Sequence, residues 1–321
     1  MCWIFWSCWI NPCVVNNKFF VIASRALALS GEAISNTVGD CFGPGLDTAE
    51  QRRLLDHRPR NDGNIEGEIF MNIVVAIKHI PSIADDLPVK GNNVDFDSVD
   101  FVLNEFDEQS IEQAVLAKEA VGGTVTVVGV DLIGELDNVL HLALAKGVDK
   151  AVKIAADEPG ADSHQQARWL AEAIKGLTPD IIFAGVQASN DLDGQIGPMI
   201  AAYLDMPYIG GVSSVEVSDH SATVNKEFAG GFGAKYAVTL PMVVGVQAAS
   251  KPPRYAPISK VRQIAQTATI EKVAPTGEAS AGLMFKKMAP PVATGHAEML
   301  TGSSKEVAAK IVELLKSKGL A

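Results

Sequence analysis

The chain has 321 residues, 47% of them hydrophobic, enough to bury one large core or two modest ones. Its formal charge of −11 argues against nucleic acid as a main partner, because a phosphate backbone selects basic surfaces. The four cysteines are Cys2, Cys8, Cys13 and Cys41, which excludes a disulfide framework, a cysteine-ligated metal and a thiol nucleophile from everything after them.

Residues 1–70 differ in character from the rest. The opening MCWIFWSCWINPCVVNNKFF is apolar but is interrupted by Asn11, Pro12 and Asn16–Lys18, so it is too short and broken for a membrane span. No basic region precedes its apolar run, which makes it a poor secretory signal, and its acidic residues do not suit a mitochondrial transit peptide. We read 1–70 as a leader, disordered or not native, with Met71 as the natural start. Residues 71–270 then form an α/β domain, and 271–321 an arm that ends in a helix.

From Met71 the pattern alternates strand and helix. The β-branched run 73–80 (IVVAIKHI) predicts a first strand. Residues 81–100, with Pro88, Gly91 and Asn92–Asn93, predict a loop with room for a short edge hairpin. Residues 104–120 (NEFDEQSIEQAVLAKEA) predict a helix with Asp107 and Glu108 in its first turn, where they complement the dipole. A strand at 124–130, a helix at 136–146, a strand at 150–154 and a helix at 164–175 follow, with Gly147 and Gly176 as helix stops. This alternation implies a Rossmann-like α/β fold: a mostly parallel sheet, helices on both faces, and ligands beyond the carboxyl ends of the strands.

The stretch 179–207 (PDIIFAGVQASNDLDGQIGPMIAAYLDMP) organises the rest. It reads as a buried strand at 180–185, a polar turn at 186–194 and a helix at 195–204. A strand that feeds a tight turn into a helix is where α/β proteins hold phosphates, on free N–H groups at the positive end of the helix dipole. Gly194 and Gly197 allow close approach, and Pro198 suits an early helical position. An ordinary βα loop gives the same pattern, and the turn lacks both the GxGxxG and the GxxxxGK[ST] fingerprints.

Strands are predicted at 210–217, 221–227, 234–240 and 241–246. The glycine-rich FAGGFG (228–233) lies between them, either a hairpin turn or a phosphate cradle. KPPRYAPISKVRQI (251–264) is proline-studded and basic and reads as exposed rather than core. After a loop-rich tail, SSKEVAAKIVELLKSK (303–318) predicts an amphipathic helix with a serine cap and an apolar stripe that must pack on something.

No catalytic constellation emerges. The histidines show no HExxH or HxH spacing, and there is no GxSxG elbow. Asp191 and Asp193 could serve Mg²⁺ or simply form the turn. Lys78, at the end of the first strand, could meet a phosphate or a carboxylate or stand as a solvated end.

The residues 71–321 resemble the beta subunit of electron transfer flavoproteins. The resemblance is carried by VVAIKHI (74–80), NEFDEQSIEQAVLAKE (104–119), AGVQASNDLDGQIGPMIAAYLDMP (184–207), NKEFAGGFGAKYAVTLPMVVGV (225–246) and PPRYAPIS (252–259), in that order. It implies a heterodimer with an alpha subunit that carries the redox-active FAD. The chain would relay electrons from flavoprotein dehydrogenases, such as acyl-CoA dehydrogenases of fatty acid beta-oxidation, to a quinone reductase or similar acceptor. It implies a structural AMP in this chain, or a second FAD that takes hydride from NADH in a bifurcating member. A non-redox nucleotide-binding module of the same fold is the third reading. The location implied is cytoplasmic, or the mitochondrial matrix in a eukaryote, with no membrane insertion.

Position by position, the resemblance places the nucleotide at Ala76, at Asn104, Glu105, Phe106 and Asp107, and at Gly129. It adds the turn Ala188, Ser189, Asn190, Asp191, Leu192, Asp193, Gly194, Gln195, Ile196, Gly197, Pro198 and Met199. Phe106 would approach the alpha-subunit flavin. Pro253, Arg254, Tyr255, Ala256, Pro257 and Ile258 would dock partner dehydrogenases, with Ile258 as the apolar anchor, and the C-terminal arm and helix would pack on the alpha subunit. The chain departs from the family pattern at Glu105, where a proline is usual. It also departs in the acidic turn at Leu192 and Asp193, and at Ala229 and Gly233, which flank Gly230–Gly231 where Asp and Glu are usual.

Overall fold

The structure, a computed structural model, describes residues 13–15, 18–20, 70–82, 88–91, 93–158, 160–191, 193–218, 220–278 and 297–320. The reading of 1–70 as a leader falls almost wholly outside the described residues. Within it, β1 (Cys13–Val15) pairs antiparallel with β2 (Lys18–Phe20).

The main unit follows the predicted alternation. β3 (Asn72–Ile77) and β4 (His79–Pro81) are two strands where the sequence predicts one. The break falls at Lys78, whose N–H leaves the ladder for the Asp107 carboxylate at 2.7 Å. A smaller unit takes up residues 83–99 and 285–321. It holds the short hairpin of β5 (Val89–Lys90) and β6 (Asn93–Val94), which the sequence left room for, and a 3-10 turn over Phe96–Ser98.

In the main unit β7 (Phe101–Leu103) pairs with β4 and leads into α1 (Glu105–Val121). β8 (Thr124–Asp131), α2 (Leu136–Ala145), β9 (Lys150–Ala155), α3 (Ser163–Lys175), β10 (Ile181–Gly185) and α4 (Ile196–Leu204) then alternate. β11 (Tyr208–Val217), β12 (Ser221–Phe228) and β13 (Phe232–Thr239) form an antiparallel meander, and β14 (Met242–Val246) returns to the parallel part.

α5 (Ile258–Thr267) and β15 (Ile270–Val273) complete the main unit. The sequence missed both elements. No residue of α5 is buried, in keeping with the predicted exposure of this segment. In the smaller unit α6 (Ser304–Ser317) starts at a capping box: the Ser303 hydroxyl accepts from the Glu306 N–H, and Glu306 accepts from the Ser303 N–H.

One nine-stranded sheet orders the main unit as β13–β12–β11–β14–β10–β3–β8–β9–β15. Every pairing from β11 to β15 is parallel. Alternation along β3 sends Ile73, Val75 and Ile77 to the face covered by α1 and α2, and Val74 and Ala76 to the face covered by α3 and α4. Phe183 and Ile182 divide β10 in the same way, and all these side chains are buried.

The connections decide where a ligand fits. From β3 the chain steps through α1 to β8 and through α2 to β9, then α3 carries it back past β3 to β10. The direction of winding reverses between β3 and β10. The crossovers leave these two adjacent strands on opposite sides, so a crevice opens beyond their carboxyl ends.

Candidate functional site

The crevice is built on strand ends with small side chains. Ala76 in β3 and Ala184 in β10 are direct ladder partners, and both line it. Around them stand Ile77, Lys78, Asn104, Asp107, Gly185, Gln187, Ala188, Asp191, Gly194 and Ile196.

Asp107 fixes the two strand ends. It lies in the first turn of α1, is 3% exposed, and accepts from the Lys78 N–H at 2.7 Å and from the Gly185 N–H at 2.9 Å. Burial pushes its carboxyl up from 3.8 to about 6, with these hydrogen bonds pulling the other way. A side chain at Gly185 would place its Cβ 2.4 Å from the Asp107 carboxylate, so glycine is what lets helix and strand meet here. Asn104, the residue before α1, gives its side-chain amide to the Gln187 carbonyl at 2.9 Å instead of capping the helix.

The turn after β10 is tight. Ala188 and Asp191 exchange backbone hydrogen bonds at 3.2 and 2.9 Å, and the Gly194 N–H donates to the Asp191 carbonyl at 3.2 Å. Gly194 has φ +63°, and a Cβ there would lie 2.2 Å from the Val186 carbonyl oxygen. α4 then starts with no side-chain cap and no acidic residue in its first turn. Such an end presents free N–H groups and the positive end of a dipole.

Lys78 faces Asp191 across the crevice. Nζ lies 3.8 Å from Oδ2, with the side chains 11% and 5% exposed. Burial lowers the Lys78 pKa, and the Asp191 and Asp107 carboxylates oppose that shift. Among the described residues the ammonium makes this loose ion pair and no hydrogen bond.

Of the residues expected at a nucleotide, Ala76, Asn104, Asp107, Ala188, Asp191, Gly194 and Ile196 line this one crevice. Glu105, Asn190, Asp193 and Gln195 are exposed, Phe106, Ser189, Pro198 and Met199 are half-buried, and none of the eight lines the crevice. Gly197 packs under the Tyr208 ring, and the Cβ direction of Gly129 points to Leu136 and Ile77 on the α2 side. Leu192 lies outside the described residues. The sequence reading left Ile77, Ala184, Gly185 and Gln187 off the site, and raised Lys78 as a residue that could meet a phosphate or a carboxylate without placing it there. Their signal was position alone, at or just past the carboxyl ends of β3 and β10.

The FAGGFG turn forms the tip between β12 and β13, with Gly230 and Gly231 at positive φ as a hairpin needs, and it does not line the crevice. Among the described residues no group of three or more His, Cys, Asp or Glu is placed to hold a metal.

The segment between β14 and α5 forms a second feature. Tyr255 and Ile258 are 82% and 65% exposed, while Ala256 is buried. The Arg254 guanidinium donates to both Glu112 oxygens at 2.9 Å and to Glu119 at 2.8 Å, and these bonds hold its pKa above the usual arginine range. Lys146 donates to the Arg254 carbonyl at 2.5 Å. Gln109 accepts from the Ala249 N–H, and Gln113 from the N–H and hydroxyl of Ser250. Two apolar side chains thus stand in solvent on a loop whose base is tied to α1 and α2.

Comparison with known proteins adds to this geometry. The family model described as electron transfer flavoprotein domain matches residues 92–277. The electron transfer flavoprotein subunit beta of Methylophilus methylotrophus is 33% identical over 260 residues, 76% of this chain and 98% of the relative. Its namesake from Clostridium acetobutylicum is 31% identical over 259 residues, 77% of this chain and 98% of the relative. A protein named caffeyl-CoA reductase-Etf complex subunit CarD, from Acetobacterium woodii, is 29% identical over 262 residues, 77% of this chain and 99% of the relative. No helix among the described residues is long and apolar enough to cross a membrane.

Proposed function

The chain belongs to the electron transfer flavoprotein beta-subunit family, and on that premise we propose that it is one half of a heterodimer, bound to a flavin-bearing alpha subunit, with AMP held in the crevice between β3 and β10. The heterodimer relays electrons from flavoprotein dehydrogenases to a quinone reductase or similar acceptor. The flavin supplies the redox chemistry, and the residues of this chain bind, position and dock.

The observation that carries the nucleotide reading is the uncapped start of α4, facing the same crevice as the Lys78 ammonium, which among the described residues makes no hydrogen bond. Both favour an anionic group. In a bifurcating member a second FAD would take the place of AMP.

Tyr255 and Ile258 form the dehydrogenase-docking knob. A rigid base under exposed apolar side chains lowers the entropy lost on association. The arm that contains α6 packs on the alpha subunit. Its Ile311, Val312, Leu314 and Leu315 are 36 to 55% exposed, more apolar surface than a lone helix keeps in water. Co-expression with the candidate alpha subunit tests the reading. A one-to-one complex that a dehydrogenase reduces supports it, and a chain that purifies alone without nucleotide contradicts it.

A further inference from the structure

Lys78 and Asp191 form an unusual pair. The Asp191 side chain is buried and that of Lys78 is 11% exposed, yet they stand 3.8 Å apart, beyond hydrogen-bonding distance. Among the described residues neither side chain makes a hydrogen bond. At this distance the ammonium and the carboxylate attract each other without a hydrogen bond, so the donors of Lys78 stay available to a better acceptor. Asp107, the other carboxylate of the crevice, is committed to two backbone N–H groups. The same crevice is lined by Gly194 and Ile196, at the uncapped start of α4.

We propose that Lys78 is a phosphate-binding residue of the nucleotide site and that Asp191 is its resting counter-ion, which the phosphate of an adenylate displaces. The inference rests on the nucleotide reading given above. In the exchange a phosphate oxygen accepts from the Lys78 ammonium while the remaining oxygens face the first turn of α4. Asp191 cannot keep its place, because a carboxylate beside a phosphate dianion is repelled in a buried setting. A rotamer change suffices to move it, since the hydrogen bonds that hold Asp191 in the turn are made by its backbone. The acidic residue of the turn then acts as a competitor for the cation rather than as a ligand contact. This accounts for a carboxylate within an anion site.

The test is binding of AMP and of adenosine, by calorimetry, to the full chain stripped of nucleotide. Lys78→Met is expected to weaken AMP by about tenfold or more, the loss of one charge-assisted hydrogen bond, and to leave adenosine within about twofold. Asp191→Asn removes the competing charge at constant shape. It is expected to tighten AMP by about three- to tenfold and to leave adenosine unchanged. In the double variant the Asp191→Asn gain disappears. AMP binding that weakens in Asp191→Asn overturns the inference, as does an equal loss of AMP and adenosine in Lys78→Met. A native chain that binds neither ligand overturns the nucleotide reading itself, an outcome distinct from the other two.

Discussion

Arg254 grips Glu112 through both carboxylate oxygens: Nε and Nη2 each donate at 2.9 Å, and the Arg254 backbone N–H adds a third bond at 2.9 Å. Glu112 is 4% exposed and lies mid-helix on α1, so one buried carboxylate fixes the loop that displays Tyr255 and Ile258. Arg254→Ala leaves that carboxylate buried without its partner and is expected to cost about 2–4 kcal/mol in urea unfolding. Arg254→Lys recovers only part of the loss, because an ammonium cannot make the bidentate fork. Amide exchange at Ala249, Ser250 and Arg254 should quicken in both variants. Unchanged exchange would show that the clamp does not order the loop.

Ile258→Ala tests the knob without touching the clamp. Ile258 is 65% exposed at the first position of α5, so its truncation has little effect on folding. We expect the KM of a partner dehydrogenase for the heterodimer to rise about tenfold, as for an apolar anchor, with assembly intact. An unchanged KM contradicts the docking role.

Gly194→Ala probes the turn into α4. At φ +63° a Cβ is strained by about 1–2 kcal/mol, before its 2.2 Å approach to the Val186 oxygen is relieved by a shift of the turn. Purified variant should keep native circular dichroism and lose most of its bound nucleotide, read by chromatography of the released ligand. Full nucleotide occupancy would place the site elsewhere.

Asp107 gives a pH signature. Its carboxyl titrates near 3.8 in the unfolded chain and at about 6 in the folded one, raised by burial. The folded state therefore holds the proton more tightly. The stability from this group is complete below about pH 4 and is lost as the pH rises through about 6, a change of roughly 3 kcal/mol. Asp107→Asn cannot titrate, so the stability of the native chain relative to this variant should fall between about pH 4 and pH 7. A difference that is flat or rises with pH contradicts the burial argument.

The organising strand, turn and helix were legible because each is set locally. The apolar run DIIFAG, the glycine at the turn and the small residues of α4 all point the same way, and β10 and α4 appear within a residue of where they were expected. The break at Lys78 was not legible, since the Asp107 carboxylate that causes it is 29 residues away. Nor was the strap role of Asp107, which reads as a dipole-complementing residue and ties two strand ends together. α5 was hidden by its prolines: Pro253 and Pro257 look like loop, yet Pro257 sits immediately before the helix, where its missing N–H costs nothing. β15, only four residues long and at the sheet edge, offers too few positions for a period to show.

The central claim is that this chain is a beta subunit with a mononucleotide in the crevice between β3 and β10. Its most direct test is to purify the chain with its alpha subunit, denature the complex, and quantify the AMP and FAD released. The account predicts one AMP and one FAD per heterodimer, with the AMP lost in Gly194→Ala and the FAD retained. Two FAD with no AMP would contradict it and make the crevice the site of a second flavin, with NADH oxidation as the next assay.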